Sequence, residues 1–370
     1  MRDWVSALTP LVENDDHYYG DWAHRLLLEV VEQLEGLPGL ANLARGGGRR
    51  AGKNFLAWFD AARRQDDDAM ALIAAEEGLR VLSRTAERAA LAERMAVMAH
   101  RAGRFADTVT ARVEAWDSIP SLDRLLRVVE AARRADVEEV TISALAKSRP
   151  RSGIPAPLRV VLLVVGGRLE TAITEVSREG LDTKADKLHR SGASLAAEVL
   201  IPILLTAGVD ATRCDGFPES VIIGLLHHAE ALVDRAHFRS ASAYRFPEEY
   251  DTPELPSDAA QDLALGELLV KTLDSMTIPT AKRHRYLSAG TLASEVVTSI
   301  VGNKDRRRYS QAAALAVAHA EAIAITKGRA AGDAVAEAAQ FRFPRHTAYR
   351  SELTSTRARS PFLTSPGRFG

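Results

Sequence analysis

His227, His228, Glu230 and His237 form the densest set of potential metal ligands in the chain. On a helix His227 and Glu230 lie three apart and share a face, whereas His228 points elsewhere. A divalent catalytic site needs three converging ligands, and this spacing supplies two. The group therefore reads as a solvated helix face, with His237 near a helix end where a charged imidazole is favoured. Gly47-Gly48-Arg49-Arg50-Ala51-Gly52-Lys53-Asn54 is one residue away from the phosphate-binding pattern G-x-x-x-x-G-K-[ST]. In that pattern backbone N–H groups wrap the phosphates, the lysine supplies charge and a hydroxyl binds Mg²⁺. Asn54 lacks the hydroxyl and no apolar strand precedes the glycines, so the segment reads as a basic, flexible hinge. Cys214, the single cysteine, lies between Arg213 and Asp215. It is a reactive thiolate on one reading and an incidental loop residue on the plainer one. Glu76-Glu77 and Glu248-Glu249 read as solvated carboxylates. No nucleophile elbow, His-Glu-x-x-His pair or dinucleotide fingerprint occurs. No catalytic residue, cofactor or metal is expected.

The basic clusters carry more. Lys282-Arg283-His284-Arg285, Lys304 with Arg306-Arg307-Arg308, and Arg345-His346 with Arg350, Arg357 and Arg359 recur near the C-terminal end. Residues 281–370 hold 15 Lys/Arg against 6 Asp/Glu, so a formal net charge of −1 conceals a +9 end and a −10 remainder. Such a division makes a footprint for an acidic partner or nucleic acid, or it joins the two ends of one protein or of two copies. Tyr309 and Tyr349 are placed to stack on bases. Arg306, Arg307 and Arg308 fall at the start of a helix, where the dipole disfavours cations unless an anion is near. The candidate partner- or nucleic-acid-binding residues are thus Lys304, Arg306, Arg307, Arg308, Arg345 and Arg350.

The elements that position these groups are helices. Hydrophobic residues make up 46% and aromatics 6% of the 370 residues, with Ala and Leu ahead of the β-branched types, which favours helix over strand. One cysteine excludes an internal disulfide and suits a reducing compartment. The acidic N-terminal stretch is unlike a secretory leader, and no apolar run nears the roughly 18 residues of a membrane span. The cytoplasm is the expected location.

A unit of two helices returns every 32 residues, with turns at Gly103-Arg104-Phe105, Ala135-Asp136-Val137 and Gly167-Arg168-Leu169. A period in the thirties marks stacked helix pairs. The spacing predicts an N-terminal helix stopping at Gly36, Pro38 and Gly39. It then predicts pairs 122–134 with 137–147, 158–165 with 169–179, and 193–207 with 219–235, the first helix of the last pair kinked at Pro202. The run LRVVLLVVGG is rich in β-branched residues, and its place in the register makes it a buried helix. Further helices are expected over 263–276, 281–301, 306–327 and 330–341, with a disordered tail from Thr354.

The stretch GRFADTVTARVEAWDSIPS, Gly103 to Ser121, resembles the second half of a tetratricopeptide (TPR) repeat. Gly103 matches the turn glycine, Phe105 the residue two later, Ala115 the small residue at the helix contact and Pro120 the closing proline. Ala92 stands where that repeat usually has Trp. WDSIPSLDRLLRVVEA from Trp116, SGASLAAEVLIPILLTAG from Ser191, IVGNKDRRRYSQAA from Ile300 and FPRHTAYRSEL from Phe343 are similar to the helical region of bacterial SWIM zinc-finger proteins. A SWIM finger requires Cys-x-Cys and a later Cys-x-His, which a chain with only Cys214 cannot build. The resemblance therefore implies the helical scaffold without the finger, and no nucleic-acid role of the finger carries over.

Together these readings predict an all-α protein, an α-solenoid of TPR-like helical hairpins with a C-terminal helical region. Its expected parts are N-terminal helices and a Gly/Arg hinge (1–54), repeats (55–236), a Pro-rich acidic linker (237–262), a basic helical region (263–353) and the tail (354–370). The expected function is a non-catalytic scaffold holding a protein segment in its concave groove. Nucleic-acid binding through the basic C-terminal helices is the alternative, and a metal- or nucleotide-dependent enzyme the remote one. No membrane partner is expected.

Overall fold

The computed structural model describes residues 2–13, 17–83, 86–148, 153–180, 192–209, 220–241 and 263–364. Every regular element among them is helical. The first eight helices are α1 (Arg2–Glu13), α2 (His17–Arg45), α3 (Ala51–Arg64), α4 (Asp68–Val81), α5 (Ala86–Arg101), α6 (Phe105–Ser118), α7 (Leu122–Arg134) and α8 (Glu138–Lys147). α9 (Ala156–Val165) and α10 (Leu169–Gly180) follow, and each helix up to here packs on the next along the chain.

One turn recurs between the two helices of a pair, joining α3 to α4, α5 to α6, α7 to α8 and α9 to α10. Asp66, Gly103, Asp136 and Gly167 have φ of 55°, 70°, 57° and 70°. At each, the next residue's N–H reaches back five residues and the turn residue's own N–H reaches back three, as in Arg104 N to Ala99 O at 2.8 Å and Gly103 N to His100 O at 2.9 Å. This is the Schellman arrangement, which satisfies the last carbonyls of one helix while the left-handed residue redirects the chain. The next helix starts two residues later each time. The left-handed residue between α7 and α8 is Asp136 and not the small residue Ala135, whose φ is −91°. Hence the turns lie 33 and 31 residues apart instead of a uniform 32. Aspartate tolerates this region better than alanine.

Other expectations shift for local reasons. Gly36 kinks α2 with φ 63° without ending it, because Pro38 falls in the first turn of the resumed helix, where a missing N–H costs nothing. Leu40, Ala41 and Ala44 are buried beyond the kink. The β-branched run does form a helix: Pro157 sits in the first turn of α9, and Val160 to Val165 are all buried. Complete burial outweighs the small intrinsic cost of valine in a helix.

α11 (Gly192–Val209) is largely apolar, and every side chain described in it is buried, Glu198 included. It packs against α9, α10, α12 (Val221–Ala241), α13 (Leu265–Ser275), α14 (Thr280–Leu287), α15 (Ala289–Gly302) and α16 (Tyr309–Lys327). The run 281–301 is thus two helices meeting at Ser288, and α12 extends helically through residues 237–241, where a linker was expected. Residues 242–262 and Cys214 lie outside the described residues.

α17 (Arg329–Phe341) and α18 (Thr347–Arg359) close the fold against α16. The tail expected from Thr354 to be disordered is helical to Arg359, and Leu363 beyond it is buried. Asp333 explains this: it accepts from Arg357 Nη2 at 2.9 Å, Thr364 N at 3.0 Å and Thr364 Oγ1 at 2.6 Å. Burial would raise the Asp333 carboxyl, but these donors outweigh it and hold it below the usual carboxylate range.

The recurring turn yields a direct prediction. Asp136→Gly should stabilise the protein by about 0.5–1 kcal/mol, and Gly103→Ala or Gly167→Ala should destabilise it by about 1 kcal/mol. A Cβ at Gly103 or Gly167 would meet no atom within 4 Å, so the cost there is conformational. Denaturant midpoints measured for the three variants check both signs.

Candidate functional site

The structure brings two of the basic clusters together. Arg306 to Arg308 form a single 3-10 turn ahead of α16, and Tyr309 opens the helix. The Tyr309 hydroxyl lies 3.2 Å from His346 Nδ1, and its ring packs edge-on against His346 and Tyr349. Phe343 completes the aromatic cluster. Arg345, next to His346, is thereby drawn toward the 306–308 turn. Tyr309 and Tyr349 are buried as the core of this cluster, so their faces are not available to bases as the sequence suggested.

The six candidate cations part company here. Lys304 is exposed and left-handed, with φ 55°, in a fifth turn of the kind seen at Gly103. Arg306, Arg307 and Arg345 are exposed as well. Arg350 is half-buried and reaches Pro344 O at 3.5 Å. Arg308 turns inward and pairs with Glu198, a fully buried carboxylate on α11 that also accepts from Gln311. Glu198 is the anion that reconciles an arginine with the positive end of a helix. Arg308 is therefore an internal ion-pair partner and no longer belongs with the surface candidates.

The third basic cluster is largely engaged. Lys282 and Arg285 lie 3.2 and 3.6 Å from Glu170 on α10, and the Tyr286 hydroxyl donates to the same carboxylate at 2.9 Å. Burial and this bond push the Tyr286 phenol up to about 12.

The near-match to a phosphate loop serves as structure. Lys53 Nζ pairs with Asp21 on α2 at 3.0 Å, and Arg50 joins it. Burial would raise the Asp21 carboxyl, and the two cations more than reverse that. Asn54 Oδ1 lies 2.6 Å from His24 Nε2, and its amide donates to Leu43 O at 3.2 Å. Burial pushes the His24 imidazole below its usual value, partly offset by the Asn54 contact. These residues fasten α3 to α2. A cavity of about 470 Å³ beside the glycines has Arg45 and Glu77 on its wall, already paired with each other through two contacts of 2.8 Å.

His227 and His228 are exposed, and Glu230 with them. His227 packs over Gly266 of α13, whose absent Cβ would lie 2.2 Å from His227 Nδ1. No three potential ligands gather at a metal distance among the described residues. His237's side chain lies outside them. No helix among them is long and apolar enough to cross a membrane.

One group escaped the sequence reading. Glu93 on α5 is buried and faces three guanidinium groups: Arg112 on α6, and Arg124 and Arg127 on α7 at 3.4 and 3.3 Å. Arg112 is itself only 5% exposed. Burial lowers Arg112 and Arg124 to about 10, with the neighbouring Arg127 adding repulsion for both. The available signal was Arg112's place on the same helix face as Val109, Val113 and Trp116, a charge set in an apolar seam.

Removing one partner of a buried pair strands the other. Arg308→Met should cost about 3–5 kcal/mol, most of it recovered in Glu198→Leu/Arg308→Met, whereas Arg306→Ala or Arg307→Ala should change stability by no more than about 0.5 kcal/mol. Urea unfolding of the four variants separates the internal cation from the surface ones. Compared with family models, curated proteins and solved structures, the chain matches none of them.

Proposed function

We propose that this chain is a non-catalytic scaffold whose helix pairs stack in the manner of TPR-like repeats and which holds an acidic protein segment. The observation that carries the scaffold reading is the recurrence of one turn at Asp66, Gly103, Asp136 and Gly167, because identical junctions rotate successive helices alike and build a repeating surface. The sign of the partner follows from Lys304, Arg306, Arg307 and Arg345, all exposed near the Tyr309–His346 contact.

Burial of Tyr309 and Tyr349 favours an acidic protein surface over nucleic acid, since the exposed cations lack the aromatic platforms that single strands stack upon. Fluorescence anisotropy with a labelled Glu/Asp-rich peptide and with generic single- and double-stranded DNA and RNA tests both readings. The peptide should bind in a salt-dependent manner. Arg306→Glu/Arg307→Glu/Arg345→Glu should weaken it about tenfold or more, as three exposed pairs of up to about 1 kcal/mol each are lost. Nucleic acid bound more tightly than the peptide, with a steep salt slope, would replace this reading by the other.

A further inference from the structure

Four cations of the C-terminal surface have no ion-pair partner among the described residues. Lys304, Arg306, Arg307 and Arg345 are all exposed, and none of them contacts a described carboxylate. Other basic side chains of this region differ, since Arg308 holds Glu198 while Lys282 and Arg285 hold Glu170. Half-buried Asp305, between Lys304 and Arg306, sets one carboxylate among the four. Like charges gathered on one surface repel, and an acidic segment laid against them relieves that cost.

The course of the helices brings an acidic stretch of this same chain to that end of the fold. Glu198, near the start of α11, meets Arg308 and Gln311 at the start of α16. Ile222, at the start of α12, donates its N–H to Glu321, which lies about 20 Å beyond Arg308 along α16. Because α12 packs along both α11 and α16, it runs back from Glu321 toward the 306–308 turn. From Ile222 to Ala241 it is about 28 Å long, which carries its end to the level of Arg308. The chain resumes in α13 beside His227, where Gly266 packs, about 21 Å back along α12. Residues 242–264 join these two points and could extend to about 75 Å, so the connection is several times longer than the gap requires. Within it, residues 247–262 carry Glu248, Glu249, Asp251, Glu254, Asp258 and Asp262 and no lysine or arginine.

We propose that the surface of Lys304, Arg306, Arg307 and Arg345 is occupied by the chain's own acidic segment, residues 247–262, which an outside acidic partner must displace. The inference rests on the reading of this surface as one for acidic protein segments, and it names the resident occupant. Charge complementarity and the point where α12 ends both favour this segment over a second copy. At an effective concentration on the order of 1 mM, a tethered segment of about 0.1 mM affinity fills the surface about nine-tenths of the time and weakens an outside partner about tenfold.

Carbodiimide coupling of the full chain, read by mass spectrometry, tests the contact directly, because it joins an amine to a carboxylate only where the two touch. A link from Lys304 to a carboxylate of residues 247–262 is expected within monomeric protein, unchanged on dilution. Arg306→Glu/Arg307→Glu/Arg345→Glu keeps Lys304 in place and should abolish that link. In the anisotropy assay Glu248→Gln/Glu249→Gln/Asp251→Asn/Glu254→Gln should bind the labelled Glu/Asp-rich peptide about tenfold more tightly than the parent chain. Absence of the link overturns the proposal, as does a measurable peptide affinity that the neutralising variant leaves unchanged. A link formed only between two copies assigns the surface to a second molecule and overturns occupation in cis. A peptide bound by neither protein, with the link present, would remove the outside partner of the proposed function and leave this contact standing.

Discussion

Two buried glutamates set the register of the C-terminal core. Glu198 on α11 is met by Arg308 and Gln311 at the start of α16. Glu321 on α16 accepts from Ser220 Oγ at 3.0 Å and from Ile222 N at 3.1 Å, at the start of α12. Burial raises the Glu321 carboxyl, while donors from Ser360, Val221, Ile222 and Ser220 pull the other way. A carboxylate taken from water costs several kcal/mol unless its lone pairs are satisfied. Hydrophobic packing alone leaves apolar, Ala-rich helices free to slide. A shift of one turn, about 5.4 Å, would strip both carboxylates of their donors at once. The pair therefore selects one alignment of α11, α12 and α16 out of several that bury similar apolar area.

That constraint also explains the charge division along the chain. Part of the C-terminal positive charge is spent inside the molecule, joining elements far apart in sequence. Arg308 reaches Glu198, and Lys282 and Arg285 reach Glu170. The acidic remainder of the chain is thus, in part, the partner of its basic end. Lys304, Arg306, Arg307 and Arg345 are left facing solvent, set around a buried aromatic cluster that fixes the 306–308 turn against the 343–346 loop.

Much of the helical architecture was legible because its signals are local. Apolar spacing marks the helices, Gly103 and Gly167 mark turns, and the 32-residue register decides α9 against its β-branched composition. What was not legible depends on partners distant in sequence or on the identity of one backbone conformation. Ala135 looks like the turn residue by spacing, yet the left-handed position belongs to Asp136. Arg308 looks like its neighbours, and only the approach of α11 turns it inward. Residues beyond Thr354 are polar enough to read as a tail, and Asp333 orders them from another helix. Among the candidate cations, spacing found the cluster but could not separate the one that folds the protein from those that face outward.

The two buried networks differ in which charge predominates. In the C-terminal core each carboxylate gathers more than one donor, Glu198 from one arginine and one amide, and Glu321 from a hydroxyl and a backbone N–H. Between α5 and α7 the arginines outnumber the carboxylates, with Arg112, Arg124 and Arg127 around Glu93 and Asp123 shared by Arg127. Both serve as clasps, the second holding α5, α6 and α7 together through Glu93. The N-terminal helices are thus tied by a buried carboxylate among arginines, as the C-terminal helices are tied by Glu198 and Glu321.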